Sequence, residues 1–362
     1  MSLLPPESLF RFKCVQKSWY ILITSLIKNP FFVAKHLQNS NKKTYVLFKC
    51  IKDKKKLQQG FLTIYNNEDN NNSDVLSYAI KYFKPQSRKY YIDSPNAFFT
   101  AGSHCNGIIC LHFSPSVVLC NPATQEYKLL PDSCIEGKHI FGVGLGYDDI
   151  DKVYKVVKIF GWYDDALTAQ VYTLGINDSW REIKMPKGTD DCYLSCDKSV
   201  CCKGVSYWLL FNECTWEDII YSFDMHDEEF HTIPLPDKFR RSKNYVLDED
   251  TSLTQLNESL ALFYHPTDKY KTVSPIEMWV MYESSEGQKC WSKYLSIDPI
   301  GGIYRIPILF WKSDELLMIE NKKGLVSCNI LTKRVRRLHN KKLSDFVGFG
   351  YVKSLVSVNG NI

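Results

Sequence analysis

The sequence predicts a mainly-β protein, in which a short helical segment at residues 1–40 precedes a β-propeller-like domain of about six blades at residues 41–362. After Leu37 the three- and four-residue spacing typical of helices gives way to short β-prone runs separated by turn residues, such as Tyr45 to Phe48 and Val153 to Ile159. Aromatic residues form 14% of the chain, a share that also favours strands. The change of pattern places the domain boundary near residues 38 to 44.

The β-rich part repeats one unit, which consists of a strand, a polar turn, a second strand and a proline. Leu119 to Pro131 and Ser222 to Pro234 align almost position by position. Looser copies are Val171 to Pro186, Val280 to Pro299, and Ser327 to Arg334, the last without the proline. The units recur at intervals of roughly 40 to 60 residues, as four-stranded propeller blades do. An extended array of β-sandwiches would produce a similar rhythm, so the repeat alone leaves both architectures open.

Each unit also predicts its turn chemistry. An Asn or Asp at the start of the turn accepts a hydrogen bond from the backbone two residues on, and the aromatic residue after the turn covers the apolar face of the sheet. A single sheet cannot hide both faces from water, so the units are expected to stack.

The N-terminal segment carries one apolar stripe. Pro5 and Pro6 favour a helix start, and Leu9, Phe12, Val15, Trp19 and Ile23 follow at three- and four-residue steps. Because so short a helical segment buries little apolar surface by itself, the stripe either packs on the following domain or contacts another protein. The pattern does not choose between the two.

Composition excludes several classes of protein. The fractions of hydrophobic residues (44%) and charged residues (23%) are those of a soluble globular protein. No apolar run reaches the roughly 20 residues that span a bilayer, and no signal peptide is recognisable, so we expect a cytoplasmic protein without membrane contact. The net charge of +5 concentrates around Lys52 to Lys56 and Lys333 to Lys342. No stacking surface of aromatic and basic residues accompanies these clusters, so no nucleic-acid partner is predicted.

No catalytic residue, metal site or cofactor is predicted. The glycine-spaced run Gly142 to Gly146 has no following Lys and Ser or Thr, so it is interpreted as a strand and not as a phosphate loop. The thirteen cysteines are expected to be reduced and mostly buried. Two groups resemble metal ligands only superficially, because their spacing is wrong for zinc or no carboxylate orients them. They are Cys192, Cys196, Cys201 and Cys202, and His104, Cys105, Cys110 and His112.

Two acidic, loop-like stretches contain tryptophan, which is a frequent anchor of protein interfaces. They supply the candidate target-binding residues Trp162, Asp164, Asp165, Trp216 and Glu217. The tryptophans could instead pack within the blades, and the paired acids could be solvated turns. Loops near residues 66–74, 162–167, 213–218 and 240–250 are the expected sites of partner selection.

Several sequence motifs resemble those of a known family. The N-terminal runs Leu4 to Leu9, Arg11 to Val15, Lys17 to Trp19 and Asn29 to Leu37 resemble the second half of a plant F-box. Later runs, including Cys105 to Cys110, Leu119 to Thr124, Gly144 to Asp148, Ser179 to Ile183 and Leu309 to Leu317, resemble the F-box-associated domain of plant F-box proteins. Within that family the motifs are most similar to the S-locus F-box group of the rose family, the S-locus F-box brothers included. The chain begins inside the F-box motif, so an F-box truncated at its N-terminus is expected.

The resemblance implies a non-catalytic substrate receptor of an SCF-type ubiquitin ligase. It assigns binding of a Skp1-like adaptor, and through it cullin-1 and a RING subunit, to the helical segment, at Pro5, Pro6, Leu9, Phe12, Cys14, Val15 and Trp19. Membership of the S-locus group would make the target a non-self pistil S-ribonuclease, bound in the cytoplasm of the pollen tube. The alternative is an F-box-truncated protein-binding module without ligase coupling. A lectin-like or enzymatic propeller would instead require a deep central pocket lined by carboxylates or histidines.

Overall fold

The computed structural model describes most of the chain. The described residues are 1–40, 45–53, 58–65, 81–82, 100–113, 116–132, 139–161, 167–176, 178–186, 192–194, 199–212, 215, 217–236, 239, 251–264, 274–299, 305–320, 324–339 and 348–359.

Three helices lie at the N-terminus of the described chain: α1 (Pro6–Phe12), α2 (Lys17–Ile27) and α3 (Pro30–Ser40). Pro6 and Pro30 occupy first helical positions, where a missing N–H costs nothing. Asn29 caps α3, since its Oδ1 accepts hydrogen bonds from the backbone N–H of Phe31 at 2.9 Å and of Phe32 at 3.2 Å.

The strands of the described residues form six sheets. The first contains β1 (Tyr45–Asp53), β2 (Gln58–Tyr65) and β3 (Lys81–Tyr82). The second contains β4 (Thr100–Cys105), β5 (Ile108–Phe113), β6 (Ser116–Asn121) and β7 (Glu126–Leu129). The third contains β8 (His139–Asp148), β9 (Val153–Gly161), β10 (Thr168–Thr173) and β11 (Arg181–Ile183).

The fourth sheet contains β12 (Cys192–Leu194), β13 (Val200–Cys202), β14 (Val205–Asn212), β15 (Glu217–Asp224) and β16 (Phe230–Pro234). The fifth contains β17 (Thr251–Leu256), β18 (Ser259–Tyr264), β19 (Ile276–Glu283) and β20 (Lys289–Ile297). The sixth contains β21 (Arg305–Phe310), β22 (Glu315–Glu320), β23 (Gly324–Asn329) and β24 (Val335–His339). The last strand, β25 (Gly348–Tyr351), returns to the first sheet and pairs with β1.

The sheets follow one another around a ring. Each is an antiparallel meander, and its innermost strand contacts that of the next: β4 contacts β8, β8 contacts β13, β13 contacts β17, β17 contacts β21, and β21 contacts β25. Apolar clusters fill the gaps between successive sheets, for example Val157 with Trp208, Leu209 with Leu262, and Leu317 with Val46. Contacts between neighbours around a ring are propeller-like, and they argue against an extended array of sandwiches.

The C-terminal residues join the first sheet to the second. The buried Asn121 side chain donates from Nδ2 to the carbonyl oxygens of Ser354 at 3.1 Å and Val356 at 2.8 Å. Gly107 has a φ of +86°, and a Cβ built on it would lie 2.5 Å from the carbonyl oxygen of Val352. Only glycine therefore fits where this segment crosses the β4–β5 turn.

The predicted repeat and its turn chemistry are confirmed. Each of the five units lies at the last hairpin of a sheet, although Ser327 to Arg334 ends one residue before β24. At the turns, Asn121 accepts from the N–H of Ala123 at 3.0 Å, Asp224 from that of His226 at 2.8 Å, and Asn329 from that of Leu331 at 3.1 Å. The aromatic part of the prediction holds for Phe230, whose ring centroid lies 4.8 Å from that of Phe223. It is wrong for Tyr127, which is 46% exposed.

The mainly-β, propeller-like fold behind N-terminal helices is confirmed, and so is the interpretation of the glycine run as a strand. Gly144 and Gly146 lie in β8, and their missing side chains make room for the next sheet: an added Cβ would lie 2.4 Å from Trp208 and 2.6 Å from Met225. These glycines therefore allow two sheets to approach closely.

Candidate functional site

The inner face of the helical segment packs on the rest of the chain. Leu9 and Ile23 are fully buried and form a cluster with Leu355, which follows the last strand. The rings of Phe12 and Trp19 lie 5.5 Å apart and pack against this cluster while remaining half-buried. Apart from Val15, which is exposed, the stripe predicted from the sequence is therefore the face by which the helices are attached to the β domain.

Polar contacts fix the same attachment. Glu7 Oε1 and Lys353 Nζ form an ion pair at 2.7 Å. The buried His36 lies with its Nε2 2.9 Å from the carbonyl oxygen of Leu4, and burial lowers the pKa of its imidazole. The helices thus form one unit with the C-terminal residues of the propeller, and the unit has a defined orientation.

The helical segment exposes several large apolar side chains. We call one group of them the outer apolar face, and its members are Val15, Tyr20, Ile21, Leu22 and Phe31. The exposed fraction is 60% for Ile21 and 85% for Phe31. Helix α2 is buried along a narrow line through Trp19 and Ile23, so its apolar residues on other sides face outward. Exposed apolar side chains that occur as a group are typical of surfaces that bind other proteins.

The predicted adaptor-binding residues divide between the two faces. Pro6 and Leu9 are buried inside the chain, so the expectation that Leu9 offers free apolar area is wrong: Leu355 and Ile23 already cover it. Phe12 and Trp19 are half-buried, whereas Pro5, Cys14 and Val15 are exposed. Sequence reasoning missed Ile21 and Phe31, although the unbroken run of Tyr20, Ile21 and Leu22 signalled a second apolar side.

The predicted target-binding residues fall almost entirely outside the described part of the chain. The residues outside the described part are Trp162, Asp164, Asp165 and Trp216. The predicted loops at 66–74 and 240–250 also lie outside it. Glu217 begins strand β15. Of the cysteine and histidine groups, Cys196 lies outside the described residues, and Cys110 is buried in the core between the second and third sheets.

A charge network not predicted from the sequence joins the third and fourth sheets. Lys155 Nζ lies 3.1 Å from Asp148 Oδ2 and 3.0 Å from Glu228 Oε1, and it donates to the carbonyl oxygen of Met225 at 2.6 Å. Arg181 also pairs with Glu228. His226 Nδ1 lies 3.3 Å from Asp148 Oδ2. Asp148, Asp151 and His226 are close enough together to hold a metal ion, but the Lys155 ammonium already contacts the buried Asp148 carboxylate, so the network is interpreted as structural.

The surroundings of Asp148 determine its titration. Burial opposes ionisation, but the N–H groups of Asp151 and Ile150, the Lys155 ammonium and His226 outweigh it and lower the pKa of Asp148 to about 2. Because the pKa is lower in the folded chain than in the unfolded one, ionised Asp148 stabilises the fold above about pH 4, and this stabilisation is lost as the pH falls towards 2.

We therefore expect Asp148→Asn to lower the free energy of unfolding at pH 7 by about 2 kcal/mol and to flatten its decline between pH 4 and pH 2. Urea titrations at several pH values measure both effects. Asp149→Asn is the matched control, because the neighbouring Asp149 is exposed and pairs with Lys152 at the surface. Equal losses in the two variants would contradict the assignment.

Among the described residues, no helix is long and apolar enough to cross a membrane.

Comparison with known proteins decides the family. The sequence profile described as "F-box associated beta propeller domain" matches residues 45–303, from the first strand of the first sheet to the end of the fifth sheet. The chain belongs to the F-box-associated β-propeller family.

Curated relatives of this F-box-associated chain come from Arabidopsis thaliana. At1g47790, which is named as an F-box protein, is 31% identical over 237 residues, covering 64% of this chain and 56% of its own length. F-box protein At2g15640 is 26% identical over 329 residues, covering 81% of this chain and 73% of its own. The chain thus spans little more than half of the first relative. Among solved structures, a DUF4784 family protein from Bacteroides caccae aligns with 84% of this chain and 73% of its own, at 8% identity and a TM-score of 0.42.

Proposed function

We propose that the chain is a substrate-recognition subunit of an SCF-type ubiquitin ligase. In this proposal the N-terminal helices bind a Skp1-type adaptor, and through it cullin-1 and a RING subunit, while the propeller binds the target protein. The observation that carries the proposal is the outer apolar face, because Ile21 and Phe31 expose apolar area on helices that are themselves anchored to the propeller. Family membership and the F-box names of the relatives support it.

The anchoring gives the receptor its mechanism. Ubiquitin transfer belongs to other subunits, so the contribution of this chain is to hold a target lysine near the bound ubiquitin carrier and raise its effective concentration there. That contribution depends on a fixed angle between the adaptor and the target. The Glu7–Lys353 ion pair and the Leu9–Leu355 contact fix the helices against the propeller and so supply this angle.

Capture of a purified Skp1-type adaptor by the purified chain tests the proposal. We expect a complex that survives size-exclusion chromatography at ordinary salt, because the contact is mainly apolar. If the folded chain captures no adaptor, it is not a ligase subunit, and the alternative of a protein-binding module without ligase coupling takes its place.

The finer form of the proposal names the target as a non-self S-ribonuclease of the pistil, met in the pollen-tube cytoplasm. It rests on the similarity of the motifs from Cys105 to Cys110 and from Leu119 to Thr124 to those of the S-locus F-box group. Capture from style extract by the immobilised chain, followed by mass spectrometry, is the test. Recovery of S-ribonucleases from other haplotypes supports it, and recovery of none overturns it without affecting adaptor binding.

A further inference from the structure

Two cysteines lie near the ends of innermost strands in different sheets. Cys105 ends β4 in the second sheet and precedes a two-residue turn at Asn106 and Gly107, with φ values of 49° and 86°. Cys201 lies in β13 of the fourth sheet, and the turn that follows β13 has the same positive φ values, 50° at Lys203 and 78° at Gly204. Both residues therefore lie where an innermost strand turns back, and β4 contacts β13 across the ring.

The two thiols contact one another. The Cys105 S–H donates a hydrogen bond to the Cys201 sulfur, which also accepts from the backbone N–H of Gly204. Both cysteines are free and partly exposed, whereas Cys110 and Cys120 are buried in the core. The two sulfur atoms are therefore already neighbours.

The surroundings make the two sulfur atoms unequal. The hydrogen bond from Cys105, helped by the N–H of Gly204, lowers the pKa of the Cys201 thiol, although burial acts in the opposite direction. The same hydrogen bond, together with burial, raises the pKa of the Cys105 thiol. Cys201 is thus the more acidic thiol of the pair and the one that we expect to attack peroxide.

We propose that Cys105 and Cys201 form a redox-sensitive thiol pair, which hydrogen peroxide converts to a disulfide that links the second and fourth sheets across the third. An acidic thiol beside a second cysteine is an arrangement that peroxide-sensing proteins use.

The oxidation proceeds in two balanced steps. The Cys201 thiolate attacks one oxygen of the peroxide, the O–O bond breaks, and hydroxide leaves and takes up a proton to become water, so that Cys201 becomes a sulfenic acid. The Cys105 sulfur then attacks the Cys201 sulfur, the S–O bond breaks, and the second water leaves with the proton of Cys105. Two thiols lose two electrons, and one peroxide becomes two waters. A dithiol reductant reverses the change.

Mass spectrometry of the full-length chain tests the proposal. The reduced chain is treated with peroxide at low protein concentration, alkylated, and digested with trypsin without reductant. We expect a linked pair of peptides, 90–128 and 199–203, whose fragment ions place the bond between Cys105 and Cys201 and which separates on reduction. In Cys105→Ser the link is lost and Cys201 accumulates as a sulfenic acid that dimedone labels. In Cys201→Ser both the link and this label are lost.

Cys290→Ser is the matched control, because Cys290 is also a partly exposed free thiol but lies in the fifth sheet. This variant should form the same link as the unaltered chain. The proposal is overturned if the unaltered chain shows no such link at a peroxide concentration that oxidises the exposed Cys14, or if Cys105→Ser leaves Cys201 no more labelled than Cys290. The first outcome is measured in the unaltered chain. The second is measured in Cys105→Ser, whose melting curve must show that it is folded.

Discussion

Replacing Ile21 and Phe31 together by glutamate should weaken binding of a Skp1-type adaptor by about a hundredfold or more and leave the fold intact. Both side chains are largely exposed, so neither contributes much to the core. In a complex each would lose its apolar contact, and each new carboxylate would be buried without a partner. Glutamate is well tolerated within α2, and at Phe31 it lies in the first turn of α3, where a negative charge is favourable.

Surface plasmon resonance against immobilised adaptor measures the effect, and a thermal melt of each variant verifies the fold. Leu331→Glu is the matched control: Leu331 is also an exposed apolar residue, 77% accessible, but it lies in the turn after β23. This control should bind like the unaltered chain. Unchanged binding by the double variant would mean that the adaptor contacts a different surface, and loss of binding by Leu331→Glu would mean that the effect is not specific to the helices.

The propeller-like fold was predictable because its signals are local. The turn of each unit is determined by residues two or three positions apart, as in the hydrogen bonds of Asn121, Asp224 and Asn329, and such signals recur with every sheet. The alternation of β-prone runs and turns is equally local. Each copy of the repeated unit therefore indicates the same fold, so one sequence contains the signal several times.

The candidate sites depend on contacts between distant residues, which a single sequence does not contain. The apolar stripe through Leu9 and Trp19 was recognisable, but the residue that covers it, Leu355, lies at the other end of the chain. The sequence therefore leaves open whether the stripe packs inside the chain or contacts a partner, and it does not show that Ile21 is exposed. The Cys105–Cys201 contact and the Lys155 network likewise join different sheets.

Glu320→Ala should lower the free energy of unfolding by roughly 3–5 kcal/mol, the largest stability effect we expect from a single substitution. Glu320 and Arg305 are directly opposite on β22 and β21, and both side chains are about 95% buried. Glu320 Oε2 accepts from the guanidinium of Arg305 at 3.0 and 3.2 Å, and Oε1 accepts from Arg337 at 3.1 Å. Alanine would leave the Arg305 charge buried and without this carboxylate. The free-energy cost of burying such a charge exceeds the free energy that the ion pair contributed to stability.

Two further variants separate burial from charge pairing. The double variant Arg305→Met with Glu320→Leu removes both charges and keeps most of the volume, so it should recover most of the loss. Asp298→Ala breaks the exposed Lys333–Asp298 pair, whose partners are 64% and 68% accessible, and should cost at most about 1 kcal/mol. Denaturant unfolding of the four chains gives the comparison. If Glu320→Ala costs no more than Asp298→Ala, burial of the Arg305 charge does not govern stability at this position, and the sixth sheet tolerates the Arg305 guanidinium without its Glu320 partner.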